Sequence, residues 1–211
     1  MKSKILFASF ICLFMGSSTF IFAETDSNGA AIGFNFGGAS LYGSNYAYQY
    51  GGEFDYHFKE RFSIRTEFGY GSTSSSFQSQ GQYFSSVDET TYRLIPVDFS
   101  LLYFIPVNEH FSAYIGAGAG YYSLSIKETS IDINIYSQQI QTSETYNLSA
   151  LAPLICLGFE TDITRKLSIF AEAKHFSAKD TLVRNDNTSF STEQEIQFGG
   201  PQIKIGIRFH F

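Results

Sequence analysis

Beyond its first 23 residues the sequence lacks a long apolar run, which excludes a transmembrane helix of about 20 residues. If the chain enters a membrane, it must do so as a closed β-barrel, because only helices and closed barrels satisfy every backbone polar group in lipid. Cysteine is scarce, and Cys156 alone remains once the N-terminus is removed, so no internal disulfide can form. Tryptophan is absent, so tyrosine would have to supply any interfacial girdle, through Tyr46, Tyr48, Tyr70, Tyr92 and Tyr103.

The N-terminus has the features of a secretory signal peptide. Lys2 and Lys4 precede an apolar run at 5–15, small residues follow at 16–19, and Ala23 stands before the first acidic residue. We predict cleavage after Ala23, so that residues 1–23 are a signal peptide and residues 24–211 are the mature domain. A lipoprotein signal at Cys12 is the alternative, and the preceding Ile11 argues against it because a small residue is expected there.

Acidic residues outnumber basic ones. The formal net charge of −6 becomes −8 when Lys2 and Lys4 leave with the signal peptide. An acidic exported chain repels phosphate groups, so nucleic acid is not an expected partner. The four histidines, at 57, 110, 175 and 210, show no metal-ligand spacing, and the glycines at 116, 118 and 120 open no phosphate-binding loop. The sequence therefore predicts no metal site and no cofactor.

Apolar and polar residues alternate along most of the mature chain, which is typical of β-strands with one apolar face. In segment 46–58, Tyr48, Phe54 and Tyr56 belong to one face, whereas Glu53 and Asp55 belong to the other. Charges in the middle of a strand suit a barrel whose lumen is polar and whose outer surface meets lipid. A soluble lipocalin-like carrier is the alternative, and it would need the opposite arrangement.

The same alternation predicts one domain, an all-β, eight-stranded antiparallel up-and-down barrel. The strands are expected at 30–38, 46–58, 61–72, 91–105, 111–126, 148–162, 167–176 and 202–211. Short turns alternate with long polar segments near 73–90, 127–146 and 177–199, and only the first long-side connector, near 39–45, is short. Alternation at 131, 133 and 135 indicates that the fifth and sixth strands continue as a hairpin above the membrane. Short periplasmic turns and long extracellular loops would place both termini in the periplasm.

The inward face of these strands carries charges that we predict to form a structural network in the lumen. The set is Glu53, Asp55, Arg65, Glu67, Asp98, Glu160, Glu172, Lys174, Lys204 and Arg208. The pairing places Glu53 opposite Glu67, so a base from another strand, expected to be Arg208, should reach these carboxylates. General acid and base catalysis is the alternative, and the narrow lumen of an eight-stranded barrel argues against it because it offers no substrate cleft.

Four stretches carry a resemblance to a known family: 114–121 (YIGAGAGY), 157–161 (LGFET), 167–173 (LSIFAEA) and 203–211 (IKIGIRFHF). In this order, and with a terminal aromatic residue, they resemble the OmpA/OmpX/opacity-protein group of small outer-membrane barrels over nearly all of the mature chain. The resemblance implies outer-membrane lipid and lipopolysaccharide as surroundings, and a barrel-assembly machinery that reads Phe209 and Phe211. It also implies a non-enzymatic protein that supports the envelope and presents surface loops for adhesion or host interaction.

The resemblance also implies one enzymatic alternative. Lipid A deacylases among the eight-stranded barrels use a His-x-Ser element with a glutamate, and His175-Phe176-Ser177 is similar to that element. However, Ala178 stands where those enzymes have Asn, and the last strand contains no Glu. We therefore expect no catalytic residues and no enzymatic activity.

Overall fold

The computed structural model describes residues 29–41, 46–80, 84–134, 139–185 and 191–211, most of them in β-strands. The strands are β1 (Ala30–Ser40), β2 (Tyr46–Lys59), β3 (Phe62–Gln80), β4 (Phe84–Pro106), β5 (Phe111–Asn134), β6 (Gln139–Thr164), β7 (Leu167–Phe176), β8 (Ala178–Asn185), β9 (Ser191–Phe198) and β10 (Pro201–His210). The predicted signal peptide lies outside the described residues. The described part of the chain contains no helix that could cross a membrane.

Eight of these strands close into a barrel in the order β1–β10–β7–β6–β5–β4–β3–β2. All neighbouring strands run antiparallel, and the ring closes where β1 pairs with β10, with Ala31 opposite His210. This arrangement confirms the predicted eight-stranded barrel. The two remaining strands, β8 and β9, form a separate antiparallel hairpin between β7 and β10.

The two ends of the barrel differ in their connections. The β2–β3, β4–β5 and β6–β7 connections are short, and they lie at the same end as the start of β1 and the end of β10. In the β4–β5 turn the side-chain oxygen of Asn108 accepts hydrogen bonds from the backbone N–H groups of His110 and Phe111, at 2.9 Å each. Such side-chain-to-backbone bonds allow a tight reversal. We call this the short-turn end and the opposite one the long-loop end.

The two faces of the barrel strands point as the alternation predicts. Phe34, Tyr48 and Phe68 are exposed on the outer surface, whereas Glu53 and Asp98 are buried inside. The lipocalin-like alternative is therefore wrong, because the apolar face lies outside and the charges lie inside. The prediction that Tyr92 belongs to the interfacial girdle is wrong. Its side chain is buried in the interior, because residues 92 and 94 are two apart on β4 and face the same side, where Leu94 is also buried.

Four strands are longer than a bilayer requires. β3, β4, β5 and β6 have 19, 23, 24 and 26 residues, whereas a tilted strand crosses the hydrocarbon with about 9–11. Their upper parts stay paired as far as Gln80 with Ser85 and Ile133 with Gln139. They form a four-stranded sheet, here called the wall, that extends the barrel at the long-loop end. The wall consists of residues 73–80, 84–91, 127–134 and 139–147.

The wall confirms the predicted continuation of the fifth and sixth strands and corrects the predicted loop near 73–90. That segment continues β3 and β4 and is paired through Thr73 with Tyr92 and Ser79 with Ser86. The sequence gives no strand signal there because Ser, Thr and Gln occupy both faces of the strands. A strand in contact with water on both sides has no apolar face and therefore no period of two.

The predicted loop near 177–199 is also a hairpin. β8 and β9, here called the cap, pair from Ala178 with Phe198 to Asn185 with Ser191. The cap packs on β6, where the backbone N–H of Ser149 donates a hydrogen bond to Oδ2 of Asp180 at 2.7 Å. One face of the cap is buried, and it carries Ala178, Leu182, Ile196 and Phe198.

Candidate functional site

The ten charged residues of the predicted set are all buried in the lumen, where they form one connected group that we call the lumen network. Arg65 holds Asp55 with two hydrogen bonds, at 2.7 and 3.1 Å, and also donates to Glu172. Lys174 joins Glu67, at 3.1 Å, to Asp98. Each charge has at least one partner of opposite sign, which offsets part of the cost of removing it from water.

The two carboxylates that face each other across β2 and β3 are bridged by a base from a third strand. Glu53 lies opposite Glu67 in the register. Lys204, on β10, donates to Glu67 and lies 3.6 Å from Glu53 and 2.9 Å from Glu172. Arg208, the base expected to bridge the two carboxylates, binds Glu53 alone of the pair, because its other contacts are with Glu160 and, at 3.0 Å, with Asp55. The bridging base is therefore Lys204.

An aromatic side chain lies at the centre of the lumen network. The guanidinium carbon of Arg208 stands 3.9 Å above the centroid of the Phe170 ring, and Arg65 and Lys204 approach the same ring at 6.0 and 5.9 Å. A cation close to a ring face is stabilised by the ring quadrupole. Tyr114 also contacts the network: its hydroxyl donates a hydrogen bond to Glu172 at 3.0 Å. The network is therefore held by both ionic and ring contacts.

Apolar side chains close the lumen at the long-loop end. Tyr122 and Phe176 stack there with Leu94, Leu124 and Leu154 around them. The buried face of the cap completes the same cluster with Leu182, Ile196 and Phe198. A smaller apolar cluster of Leu102, Phe104, Tyr114 and Cys156 lies nearer the short-turn end. The smaller cluster lies beside the lumen network, because Tyr114 bonds Glu172 and Cys156 pairs with Lys174 in the register. Side chains thus fill the lumen, as the narrow interior of an eight-stranded barrel favours.

A recess of about 320 Å³ opens at the short-turn end. It is lined by three of the four histidines, His57, His110 and His210, and by Glu160 and Asp162 of β6. Sequence spacing gave no sign of this grouping, because the three histidines belong to β2, the β4–β5 turn and β10. The sequence feature that could have indicated the grouping is that all three histidines lie near strand ends at the short-turn end.

The residues of the deacylase alternative lie at the other end of the barrel. His175 is exposed on the outer surface, and Oγ of Ser177 accepts a hydrogen bond from the side-chain amide of Gln197 at 2.7 Å. Among the described residues no hydrogen bond joins His175 to Ser177. Phe209 and Phe211, the predicted assembly signal, are exposed on the outer surface at the short-turn end.

Most of the chain matches one known protein family. The model of the family described as "Outer membrane protein beta-barrel domain" matches residues 8–209. No curated protein sequence matches the chain.

Several solved structures have the same fold. Neisserial surface protein A (NspA) is 11% identical, with a TM-score of 0.57, and the match covers 88% of this chain and 98% of that one. For OprG from Pseudomonas aeruginosa the identity is 13% and the TM-score 0.59, over 88% and 96% of the two chains. AlkL, an outer membrane protein solved in lipid bilayers, is 13% identical, with a TM-score of 0.54 over 92% and 95%. At these identities the likeness concerns the fold alone.

Proposed function

Because the chain belongs to the outer membrane protein β-barrel family and is an integral protein of the bacterial outer membrane, we propose that it is a non-enzymatic surface barrel. It supports the envelope and presents the wall to partners outside the cell, in adhesion or host interaction. Both termini and the short-turn end face the periplasm, and the wall faces outward, as short periplasmic turns and long outer segments indicate. Residues 1–23 are removed on export.

The observation that carries this proposal is the closed lumen. The apolar cluster around Tyr122 and Phe176 and the lumen network beneath it fill the path along the barrel axis. A filled lumen excludes a solute channel and leaves the outer surface and the wall as the places where function can reside. Eight strands closed into a ring by backbone pairing make a rigid carrier for that surface.

The belt of exposed aliphatic and aromatic side chains supports envelope contact. Its members include Phe36, Tyr50, Ile64, Phe99 and Ile155. These side chains face the hydrocarbon of the outer membrane, and those nearest the long-loop end meet lipopolysaccharide. The barrel-assembly machinery inserts the chain by reading Phe209 and Phe211 on the last strand.

The wall supports the role in partner binding. It is a paired sheet rather than a set of irregular loops. Binding of a partner would therefore cost less conformational entropy, because the surface is already ordered. Its inward-facing side carries Asp88, Glu128, Asp132 and Glu144, and the hydroxyl of Ser130 donates to Asp88 at 2.7 Å. This composition favours a partner with positive charge.

Deletion of half the wall tests the surface role. Lys127 and Thr145 are directly paired, so replacement of 128–144 by Asn-Gly keeps the register and closes β5 and β6 with a tight turn. We expect the variant to insert into the outer membrane. Like the wild type, it should migrate differently on an SDS gel when heated and when unheated. Bacteria that display it should bind host cells or extracellular matrix less well than bacteria that display the intact wall. Equal binding by both strains would overturn the surface role.

Two further measurements test the closed, non-enzymatic barrel. Purified protein in planar lipid bilayers should give no steady conductance, and a stable open channel would contradict the filled lumen. Lipid A from cells with the wild-type protein, His175→Ala and no protein should show the same acylation by mass spectrometry. Loss of an acyl chain that depends on His175 would establish the deacylase alternative.

A further inference from the structure

Three histidines from distant parts of the sequence meet two carboxylates at the short-turn end. His57, His110 and His210 line the recess together with Glu160 and Asp162. The strands β2, β6 and β10 and the β4–β5 turn supply one or two residues each. Imidazole and carboxylate groups that converge from separate elements are the donor set of many divalent transition-metal sites.

The donor atoms of three of these residues are already close together. Nε2 of His210 lies 3.3 Å from Oε1 of Glu160. One ligand atom from each of Glu160, Asp162 and His210 falls within 4.8 Å of the other two. Ligand atoms around a tetrahedral Zn²⁺ with bonds near 2.1 Å are about 3.4 Å apart. Side-chain movements of about 1 Å would therefore bring the three groups into a metal-binding geometry.

Neighbouring groups hold two of the donors in place. Arg208 binds Oε2 of Glu160, which leaves Oε1 directed toward the recess. The buried hydroxyl of Ser168 contacts both Oε1 of Glu160 and Nε2 of His210, the latter at 2.8 Å. Because both atoms are already hydrogen-bonded, a metal ion would replace the proton on Nε2 of His210. Asp162 and His110 are exposed, so an ion has a route from solvent to the site.

The charge of the lumen provides an independent argument. Within the described part of the chain, the lumen network sets six carboxylates against four basic side chains, which leaves a formal charge of −2 when all are ionised. At the recess Asp162 and Glu60 add two negative charges and Lys59 adds one positive charge. Since excess charge in a weakly polar interior is unfavourable, a divalent cation at the edge of the network would balance it. The cation would sit on Glu160, the network member nearest the recess.

We propose that Glu160, Asp162 and His210 bind one divalent transition-metal ion of the Zn²⁺ class at the short-turn end of the barrel. A water molecule or His110 supplies the remaining ligand. The mixed imidazole and carboxylate set favours Zn²⁺ over Mg²⁺ and Ca²⁺, which prefer oxygen ligands alone. The site is independent of the proposed surface function and lies at the opposite end of the barrel.

The test is a calorimetric titration of the full mature chain with Zn²⁺. The protein is refolded in detergent micelles without a polyhistidine tag, and folding is checked by the heat-dependent gel shift. We expect one Zn²⁺ per chain, and we expect His210→Gln and Asp162→Asn each to weaken the Kd by at least about tenfold. His175→Ala is the matched control, because His175 is exposed on the outer surface at the other end of the barrel, and it should bind like the wild type.

A second readout identifies the ligand directly. With Cu²⁺ as the probe, electron paramagnetic resonance should show nitrogen coupling that is weaker in His210→Gln than in the wild type and unchanged in His175→Ala. Asp162→Asn alters an exposed side chain and should fold, so the proposal stays testable even if changes at His210 impair refolding. No Zn²⁺ binding by the wild type, or equal Zn²⁺ binding by Asp162→Asn and the wild type, would overturn the site.

Discussion

Tyr122 and Phe176 stack face to face inside the barrel, with ring centroids 3.7 Å apart and planes inclined by 2°. Tyr122 comes from β5, whereas Phe176 is the last residue of β7, two residues before the cap begins at Ala178. The two rings therefore connect β5 to the end of β7, from which the cap continues. Both side chains are fully buried, so the stack separates the lumen network from the solvent at the long-loop end.

Loss of this stack should destabilise the barrel. Phe176→Ala removes a fully buried ring and leaves a cavity, and such changes lower the free energy of unfolding by about 3–5 kcal/mol. Urea titration of the protein refolded into lipid vesicles measures the effect. Phe77→Ala is the control, since Phe77 lies on the wall with 68% of its surface exposed, and it should change the urea midpoint little. If Phe176→Ala and Phe77→Ala have the same urea midpoint, the stack does not stabilise the barrel.

The end of the cap should tolerate only glycine at one position. Gly199 has a φ of +98°, and a Cβ there would lie 2.4 Å from Cε2 of Phe176. Gly199→Ala therefore adds both backbone strain and a clash, and it should lower the free energy of unfolding by about 1–3 kcal/mol. Gly38→Ala is the matched control, because its Cβ would meet its nearest neighbour at 3.9 Å. The same urea titration should find Gly38→Ala close to the wild type.

Removal of one charge from the lumen network should be more harmful than removal of a pair. Arg65→Met leaves Asp55 with Arg208 alone and Glu172 with Lys204, so the excess of negative charge in the network grows. Breaking a buried ion pair in this way lowers the free energy of unfolding by about 3–5 kcal/mol. The double variant Arg65→Met with Asp55→Asn should recover part of that loss. If the double variant is as unstable as the sum of the singles, the two side chains are not energetically coupled.

An exposed ion pair provides the comparison for the buried one. Lys179 and Glu195 pair at 2.9 Å across the cap, with 60% and 67% of their side chains exposed. Lys179→Gln should change the free energy of unfolding by less than about 1 kcal/mol, because water screens such pairs. A loss as large as that of Arg65→Met would mean that burial is not what makes the lumen network important.

The terminal residue should matter for assembly more than for stability. Phe211→Ala should lower the amount of barrel in the outer membrane of living cells, because Phe211 is the predicted assembly signal. The purified variant, refolded in vitro, should keep its urea midpoint, since Phe211 is exposed on the lipid side with 64% of its surface accessible. If Phe211→Ala reaches the wild-type amount in the outer membrane, Phe211 is not an assembly signal.

The wall and the cap show why a sequence pattern can fail locally. Alternation reveals a strand only when one face meets water and the other meets lipid or a core. Ser75 and Thr90 are paired in the wall with solvent on both sides, so their sequence looks like that of a loop. The cap has a buried face, but a mostly polar stretch of sequence separates its apolar members Leu182 and Ile196, which conceals the pairing.

The amino-acid sequence by itself determined the number of barrel strands, their direction and the face that each side chain presents. Those properties are local, because a period of two along one strand decides what points outward. Only the tertiary structure decided which base reaches Glu53 and Glu67, what fills the long-loop end, and that His57, His110 and His210 share one recess. These arrangements depend on closure of the ring and on the stagger between strands, which bring together residues from opposite ends of the chain.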